Sequence, residues 1–156
     1  MPAEASLPAS LPILGLGVIG VGAFGQNHAH LWRDLPGARL AAVADVDEAR
    51  AAAIAARFGA ARWYASAEAL LDDPDVQAVS ICTAEHQHRE PALAAIRAGK
   101  PVLLEKPIAA SLADAEAIIA AARSAGVLLQ VGHLLRYDER HAAIHERVRA
   151  GELGRL

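Results

Sequence analysis

The sequence alternates between short apolar runs and longer amphipathic stretches. The runs are Leu16–Ile19, Leu40–Ala44, Arg62–Tyr64, Val76–Cys82, Val102–Leu104 and Val127–Val131. Apart from the weaker run at 62–64 they are almost continuously apolar, as strands are when helices cover both faces of a parallel sheet. The predicted helices between them span residues 23–35, 47–58, 66–72, 88–98, 112–125 and 138–150. This order predicts an α/β fold with a doubly wound, mostly parallel sheet and right-handed crossovers.

Residues that favour helix ends stand at the predicted boundaries. Asp47 and Ser111 are placed to cap the helices that follow them, and Ser111 with Asp114 resembles a capping box. Glycine follows three predicted helices, where a left-handed backbone is common: Gly99, Gly126 and Gly151. These residues support the predicted order of elements.

The composition excludes several classes of protein. Hydrophobic residues make up 54% and charged residues 21% of the 156 residues, which is typical of a globular chain rather than a disordered tail or a membrane span. The net charge of −3 and the scattered basic residues argue against nucleic acid and anionic membranes as partners. Cys82 is the one cysteine, and the first residues include Glu4 and lack a basic segment typical of a signal peptide. We therefore expect a cytoplasmic protein.

Two overlapping segments match the pattern G-x-G-x-x-G. The first is formed by Gly15, Gly17 and Gly20, and the second by Gly20, Gly22 and Gly25. The second follows an apolar run and leads into a predicted helix, whereas the first would have to open a helix at residues 21–23, which start a helix poorly. We therefore predict that residues 20–25, which include Ala23 and Phe24, bind the diphosphate of a dinucleotide. Glycines that only form tight turns are the alternative.

Asp45 strengthens the prediction of a dinucleotide site. It lies 20 residues after Gly25, at the end of the apolar run 40–44, where a second strand would deliver it to the adenosine ribose. A carboxylate there accepts hydrogen bonds from the ribose hydroxyls and repels a 2′-phosphate. The sequence therefore predicts a Rossmann fold that binds NAD, with NADP less favoured.

Several motifs occur in the order seen in one enzyme family. They include the glycine loop, residues 44–47, residues 81–83, residues 98–102, the E-K-P turn at residues 105–107 and residues 131–137. Over about residues 14–156 the chain resembles the Gfo/Idh/MocA oxidoreductases, which include glucose–fructose oxidoreductase and inositol dehydrogenase. The resemblance implies an NAD-dependent enzyme that moves hydride between the cofactor and a sugar, cyclitol or related polyol.

The resemblance also assigns roles to residues after the fourth and fifth strands. It implies that Lys106 reaches the nicotinamide and the substrate hydroxyl as a catalytic residue, while Glu105 holds the turn. Thr83 and His86 are expected to line the cofactor near its ribose and nicotinamide. The bond before Pro107 is commonly cis in the family.

Histidines at alternate positions suggest a metal site only weakly. His86 and His88 lack the further Cys or acidic ligands that a zinc site needs. His141 and His145 share a helix face without an evident third ligand, and a solvated face is the better interpretation. We therefore predict no metal site.

The Pro-, Ala- and Ser-rich start and the resemblance together predict a division of the chain. Residues 1–12 are expected to form a flexible leader, residues 13–133 the dinucleotide-binding domain, and residues 134–156 a helix and the start of a connection to a substrate domain absent from this sequence. We expect a small-molecule polyol or sugar partner and assembly into a homo-oligomer. The alternative function is a non-catalytic dinucleotide-binding module, either a redox sensor or a subunit completed by another chain.

Overall fold

Six strands and six helices alternate along the described part of the chain. The computed structural model describes residues 12–154, so most of the predicted leader at residues 1–12 lies outside the described residues. The strands are β1 (Leu14–Ile19), β2 (Ala38–Ala44), β3 (Arg62–Tyr64), β4 (Ala78–Ile81), β5 (Val102–Leu104) and β6 (Leu129–Val131). The helices are α1 (Ala23–Asp34), α2 (Glu48–Phe58), α3 (Ala67–Leu71), α4 (Arg89–Arg97), α5 (Leu112–Ala125) and α6 (Glu139–Arg149), with short 3-10 turns at Glu85–Gln87 and Leu134–Tyr137.

All six strands join one parallel sheet in the order β3-β2-β1-β4-β5-β6. The chain moves outward from β1 to β3, then crosses back to β4 and moves outward in the other direction. This is the strand order of a doubly wound dinucleotide-binding fold. The predicted fold class is confirmed.

The strand boundaries differ from the predicted ones where an apolar residue serves the core without joining the sheet. Val76 is 1% exposed, yet its N–H bonds to the carbonyl of Asp73 in a turn, so β4 starts only at Ala78. Val127 likewise donates to the carbonyl of Ala122 at the end of α5, and β6 starts two residues later than predicted.

Alternate residues of the central strands face opposite layers of helices. Val18 of β1 packs with residues of α1 and α2, such as Ala29 and Phe58. Its neighbour Ile19 joins the larger cluster on the other face, which includes Ile118 of α5. This two-residue alternation explains why the central strands are apolar on both faces.

The predicted helix caps are present. The side chain of Asp47 accepts a hydrogen bond from the Arg50 N–H at 3.0 Å, and Ser111 accepts one from the Asp114 N–H at 3.1 Å. Gly126 ends α5 with a φ of +64°, a conformation that L side chains rarely adopt. Among the described residues, no helix has the length and apolar character needed to cross a membrane.

The first two glycines of the first G-x-G-x-x-G match lie within β1 and are packed in the sheet. A Cβ added at Gly17 would stand 2.8 Å from Leu70 Cδ2 and 2.9 Å from Val76 Cγ1, both in fully buried side chains. A Cβ at Gly15 would stand 1.9 Å from the carbonyl oxygen of Asp75. Close packing therefore accounts for both glycines without a ligand.

We expect Gly17→Ala to lower the free energy of unfolding by about 1–3 kcal/mol, because the added methyl group overpacks the core. The control is Gly22→Ser, which adds a side chain where no described atom lies within 4 Å and supplies a residue type that caps helices well. Urea unfolding followed by circular dichroism measures both. Equal stability of Gly17→Ala and the unchanged protein would contradict the packing argument.

Candidate functional site

The carboxyl ends of the parallel strands bring the predicted site residues to one edge of the sheet. Main-chain hydrogen bonds continue the sheet beyond the strands: the Gly20 N–H donates to Ala44, the Cys82 N–H to Ile19, and the Glu105 N–H to Ile81, at 2.8 to 2.9 Å. The connections after the neighbouring strands β1 and β4 diverge to opposite sides at this edge. Ligands of open α/β sheets bind in the crevice formed at such a point.

The glycine loop at residues 20–25 is built on two close backbone approaches. Gly20 has a φ of +82°, and a Cβ there would stand 2.7 Å from the Thr83 nitrogen. A Cβ at Gly25 would stand 1.9 Å from the Gly20 carbonyl oxygen. These two glycines therefore let α1 and β1 lie close together.

Gly22 has a different environment. It precedes α1 with φ −64° and ψ −163°, and a Cβ there would meet no described atom within 4 Å. The first turn of α1 contains no acidic residue, so its N–H groups and positive dipole end are not countered locally. This open backbone at a helix start fits the diphosphate of a dinucleotide.

A groove of about 610 Å³ runs along this edge between the loops that follow β1, β2, β3 and β4. Five predicted site residues line it: Gly20, Gly22, Asp45, Thr83 and His86. The other five do not line this groove: Ala23, Phe24 and Gly25 lie in the first turn of α1, and Glu105 and Lys106 follow β5. Gly25 and Glu105 are buried, and the other three are exposed. The structure thus brings half of the predicted set together in one groove and places the rest in α1 and in the turn after β5.

Asp45 is held firmly at the end of β2. It is 8% exposed; one carboxylate oxygen accepts the Val21 N–H at 2.9 Å, and the other accepts the Asp47 N–H at 3.0 Å. The half-exposed guanidinium of Arg50 lies 3.4 Å from both oxygens. Arg50 is absent from the residues predicted to form the site, and its position in the first turn of α2, five residues after Asp45, is the available signal.

The E-K-P turn is anchored through Glu105. One carboxylate oxygen of this buried residue accepts the Lys106 N–H at 3.1 Å, and the other lies 3.3 Å from His28 Nε2. A Cβ at Gly132 would stand 3.0 Å from the same carboxylate. His28 and Glu105 are 77 positions apart, so no local sequence signal links them.

Lys106 itself is exposed next to the glycine loop. Its Nζ lies 5.1 Å from the centroid of the Phe24 ring, a distance at which a cation interacts with an aromatic face. The Lys106–Pro107 peptide bond is cis, as the resemblance implied.

Two residues after β4 face the groove with different chemistry. Burial raises the pKa of the Cys82 thiol, and the negative charge of Glu105 raises it further, so Cys82 stays protonated near neutral pH. The hydroxyl of Thr83 is buried and has no hydrogen-bond partner among residues 12–154. A cofactor that enters the groove could supply that partner.

His86 and His88, the two histidines at alternate positions, lie in different surroundings. His86 is exposed and lines the groove, whereas His88 is buried and contacts two backbone carbonyls. His141 and His145 lie on the exposed surface of α6. Within residues 12–154 no group of three or more His, Cys, Asp or Glu side chains is placed to hold a metal ion.

Comparison with known proteins agrees with this geometry. The model of the Gfo/Idh/MocA family, described as an oxidoreductase family with an NAD-binding Rossmann fold, matches residues 14–133. The chain belongs to the Gfo/Idh/MocA oxidoreductase family. The resemblance inferred from the sequence is confirmed, and so is NAD as the cofactor type of its Rossmann domain.

Curated relatives of this chain include an inositol dehydrogenase and a dehydrogenase of the sugar D-apiose. Inositol 2-dehydrogenase 2 of Saccharopolyspora erythraea is 42% identical over 144 residues, covering 91% of this chain and 42% of the relative. D-apiose dehydrogenase of Paraburkholderia graminis is 38% identical over 137 residues, covering 88% of this chain and 36% of the relative. The chain therefore spans less than half the length of these curated relatives.

A solved structure of a family member has the same fold. Myo-inositol dehydrogenase from Lactobacillus casei, in complex with NAD(H) and myo-inositol, aligns with a TM-score of 0.83 and 33% identity. The alignment covers 89% of this chain and 42% of that chain.

We expect Asp45→Ser to shift cofactor preference from NADH toward NADPH. The substitution removes the charge that repels a 2′-phosphate, and it releases Arg50 to pair with that phosphate. In the unchanged protein the preference for NADH over NADPH should amount to roughly 1–3 kcal/mol. Isothermal calorimetry with both cofactors measures the ratio of affinities.

The matched control is Asp47→Ser, which removes the other carboxylate that pairs with Arg50 but keeps a residue able to cap α2. It should retain the preference for NADH. Adding Arg50→Ala to Asp45→Ser should remove the gained NADPH affinity. An unchanged ratio of affinities in Asp45→Ser would refute the role of Asp45.

Proposed function

We propose that this chain is the cofactor-binding part of an NAD-dependent dehydrogenase that acts on a sugar, cyclitol or related polyol. One observation carries the proposal: the carboxylate of Asp45 and the ammonium-bearing Lys106 follow strands three positions apart at the same sheet edge, with the glycine loop between them. Three strand spacings of about 4.8 Å separate the two ends by about 14 Å, a span suited to an extended dinucleotide.

Each part of this edge suits one part of NAD. The N–H groups at the start of α1 would bind the diphosphate beside Gly22, and Asp45 would accept hydrogen bonds from the adenosine ribose. Thr83 and His86 would contact the cofactor between the diphosphate and the nicotinamide. Bound NAD supplies the hydride acceptor, or as NADH the donor, that amino-acid side chains lack.

Lys106 would act on the substrate oxygen. Its main chain is fixed by the anchored Glu105 on one side, while its ammonium group is exposed and rests on the Phe24 ring. From there the long side chain can donate a hydrogen bond to a substrate hydroxyl or carbonyl and stabilise negative charge that develops on that oxygen. A point charge on a flexible stem suits this task.

The names of the relatives favour a dehydrogenase over a non-catalytic dinucleotide module. Because the chain spans less than half of their length, we propose that residues 13–133 bind the cofactor and that residues 134–156 lead toward a substrate domain. That domain would enclose the substrate opposite Lys106 and exclude water. The homo-oligomer and the cytoplasmic location stay predictions.

We expect the 156-residue chain to bind NADH, and Gly22→Val to abolish that binding while the fold is retained. The valine side chain would occupy the open space that the diphosphate needs. NADH fluorescence titration measures binding, and circular dichroism checks the fold. Gly17→Ala is the control, because it alters the core beneath β1 and should spare binding at temperatures where it is folded. Loss of binding in Gly17→Ala alone would show that the other glycine match binds the cofactor.

The catalytic role of Lys106 is tested by joining this chain to the substrate domain of an inositol dehydrogenase relative. We expect the joined protein to form NADH from NAD and a polyol, and Lys106→Ala to lower kcat by roughly 10²–10³-fold, the size of one lost charge-stabilising donor. NAD affinity should change far less. The 156-residue chain alone should bind NAD(H) without measurable turnover. Lys106-dependent NADH formation by the short chain would show that the catalytic groups all lie within it.

A further inference from the structure

His88 lies between the two loops whose side chains are placed at the nicotinamide end of the proposed site. It directly precedes α4 and is 1% exposed. Its Nδ1 stands 2.9 Å from the carbonyl oxygen of Pro107, and its Nε2 stands 3.1 Å from the carbonyl oxygen of Thr83. One buried ring thus spans the loop after β4 and the E-K-P turn after β5.

Both partners of the ring are backbone carbonyl oxygens, which only accept hydrogen bonds. A neutral imidazole donates from one nitrogen and therefore bonds one of these loops, while a ring protonated on both nitrogens bonds both. In both protonation states the His88 ring fills the space between the two loops, and its two nitrogens face the main chains of these loops. Loss of the ring would remove this donor from the carbonyl groups of Thr83 and Pro107, which costs the hydrogen bond it makes.

The contact with Pro107 matters because Lys106 immediately precedes that residue. Lys106 is flanked by two anchored residues: Glu105, whose carboxylate accepts the Lys106 N–H and contacts His28, and Pro107, whose carbonyl faces His88. The Lys106 ammonium is exposed beside the Phe24 ring, while the main chain that carries it is held from both sides. Without His88 one of the two anchors is lost.

The contact with Thr83 extends this support to the glycine loop. The Thr83 nitrogen stands 2.7 Å from the position of a Cβ on Gly20, so the Thr83 main chain packs directly against that glycine. The Thr83 hydroxyl is one of two buried side-chain polar atoms, with His28 Nδ1, that have no hydrogen-bond partner among the described residues. A shift of this main chain would move that hydroxyl relative to the groove.

We propose that His88 is a positioning residue that sets the separation of Thr83 and Lys106 and thereby shapes the nicotinamide end of the site. This inference rests on the proposed function, because it assigns the nicotinamide to that end. The adenosine end at Asp45 is held by separate contacts with Val21 and Asp47. Loss of His88 should therefore affect the two ends of the cofactor unequally.

The experiment compares NADH with ADP-ribose, which lacks the nicotinamide, in the 156-residue chain. We expect His88→Phe, which keeps a buried ring but removes both nitrogens, to weaken NADH binding roughly five- to tenfold, as for one lost hydrogen bond. ADP-ribose affinity should change less than about twofold on the same scale. His88→Gln, which retains a donor, should recover part of the NADH affinity. His145→Ala, an exposed histidine on α6, should change neither.

The outcomes separate this inference from the proposed function. Failure of the unchanged chain to bind NADH would refute the proposed function itself. Equal losses for NADH and ADP-ribose in His88→Phe, or no loss for either, would refute the positioning role alone. If His88→Phe does not fold, nitrogen-15 NMR of the unchanged chain decides: a slowly exchanging imidazole N–H on His88 is expected, and rapid exchange with water would overturn the inference.

Discussion

The backbone contact between Gly20 and Gly25 fixes the geometry on which the candidate site depends. A side-chain carbon on Gly25 would stand 1.9 Å from the Gly20 carbonyl oxygen, so only glycine allows α1 to begin this close to the end of β1. Gly20 in turn packs against the main chain of Thr83. The end of β1, the start of α1 and the loop after β4 therefore meet at one place through contacts between their backbones. Because the chain approaches so closely there, the open backbone at Gly22 faces the groove instead of a neighbouring loop.

Directional polar contacts then fix the rotation of α1 on the sheet. Trp32 Nε1 donates to the Ser80 hydroxyl of β4 at 2.8 Å, and His28 contacts Glu105 after β5 at 3.3 Å. Apolar packing alone constrains rotation weakly, because the buried residues of α1 are small, such as Ala29. Hydrogen bonds add the angular dependence that a smooth apolar surface lacks. These two contacts tie α1, whose N-terminus faces the groove, to β4 and to the turn after β5.

Local patterns predicted most of the fold and part of the site. Strand and helix order, the Asp47 cap and the choice of the second glycine match all follow from residues close together in sequence. The pattern misplaced the start of β4, since the apolar character of Val76 indicates burial and not strand pairing. Contacts such as His28 with Glu105 and His88 with Pro107 join segments 77 and 19 positions apart. These contacts depend on how the helices pack on the sheet. The periodic pattern of a single sequence does not show that packing.

The two ends of the candidate site differ in how completely this chain builds them. Asp45 is buried and already held by backbone donors, so the proposed contact with the adenosine ribose would need little rearrangement. Lys106 is exposed, and the chain that follows Gly132 beside Glu105 leads into a surface with exposed apolar side chains, including Leu135 at 52% and Tyr137 at 77%. A charge acts most strongly on a reacting oxygen when water is excluded around both. Under the proposed function, cofactor binding and substrate chemistry are therefore separable: the strand ends would bind the cofactor, and the chemistry would need a wall placed over Lys106.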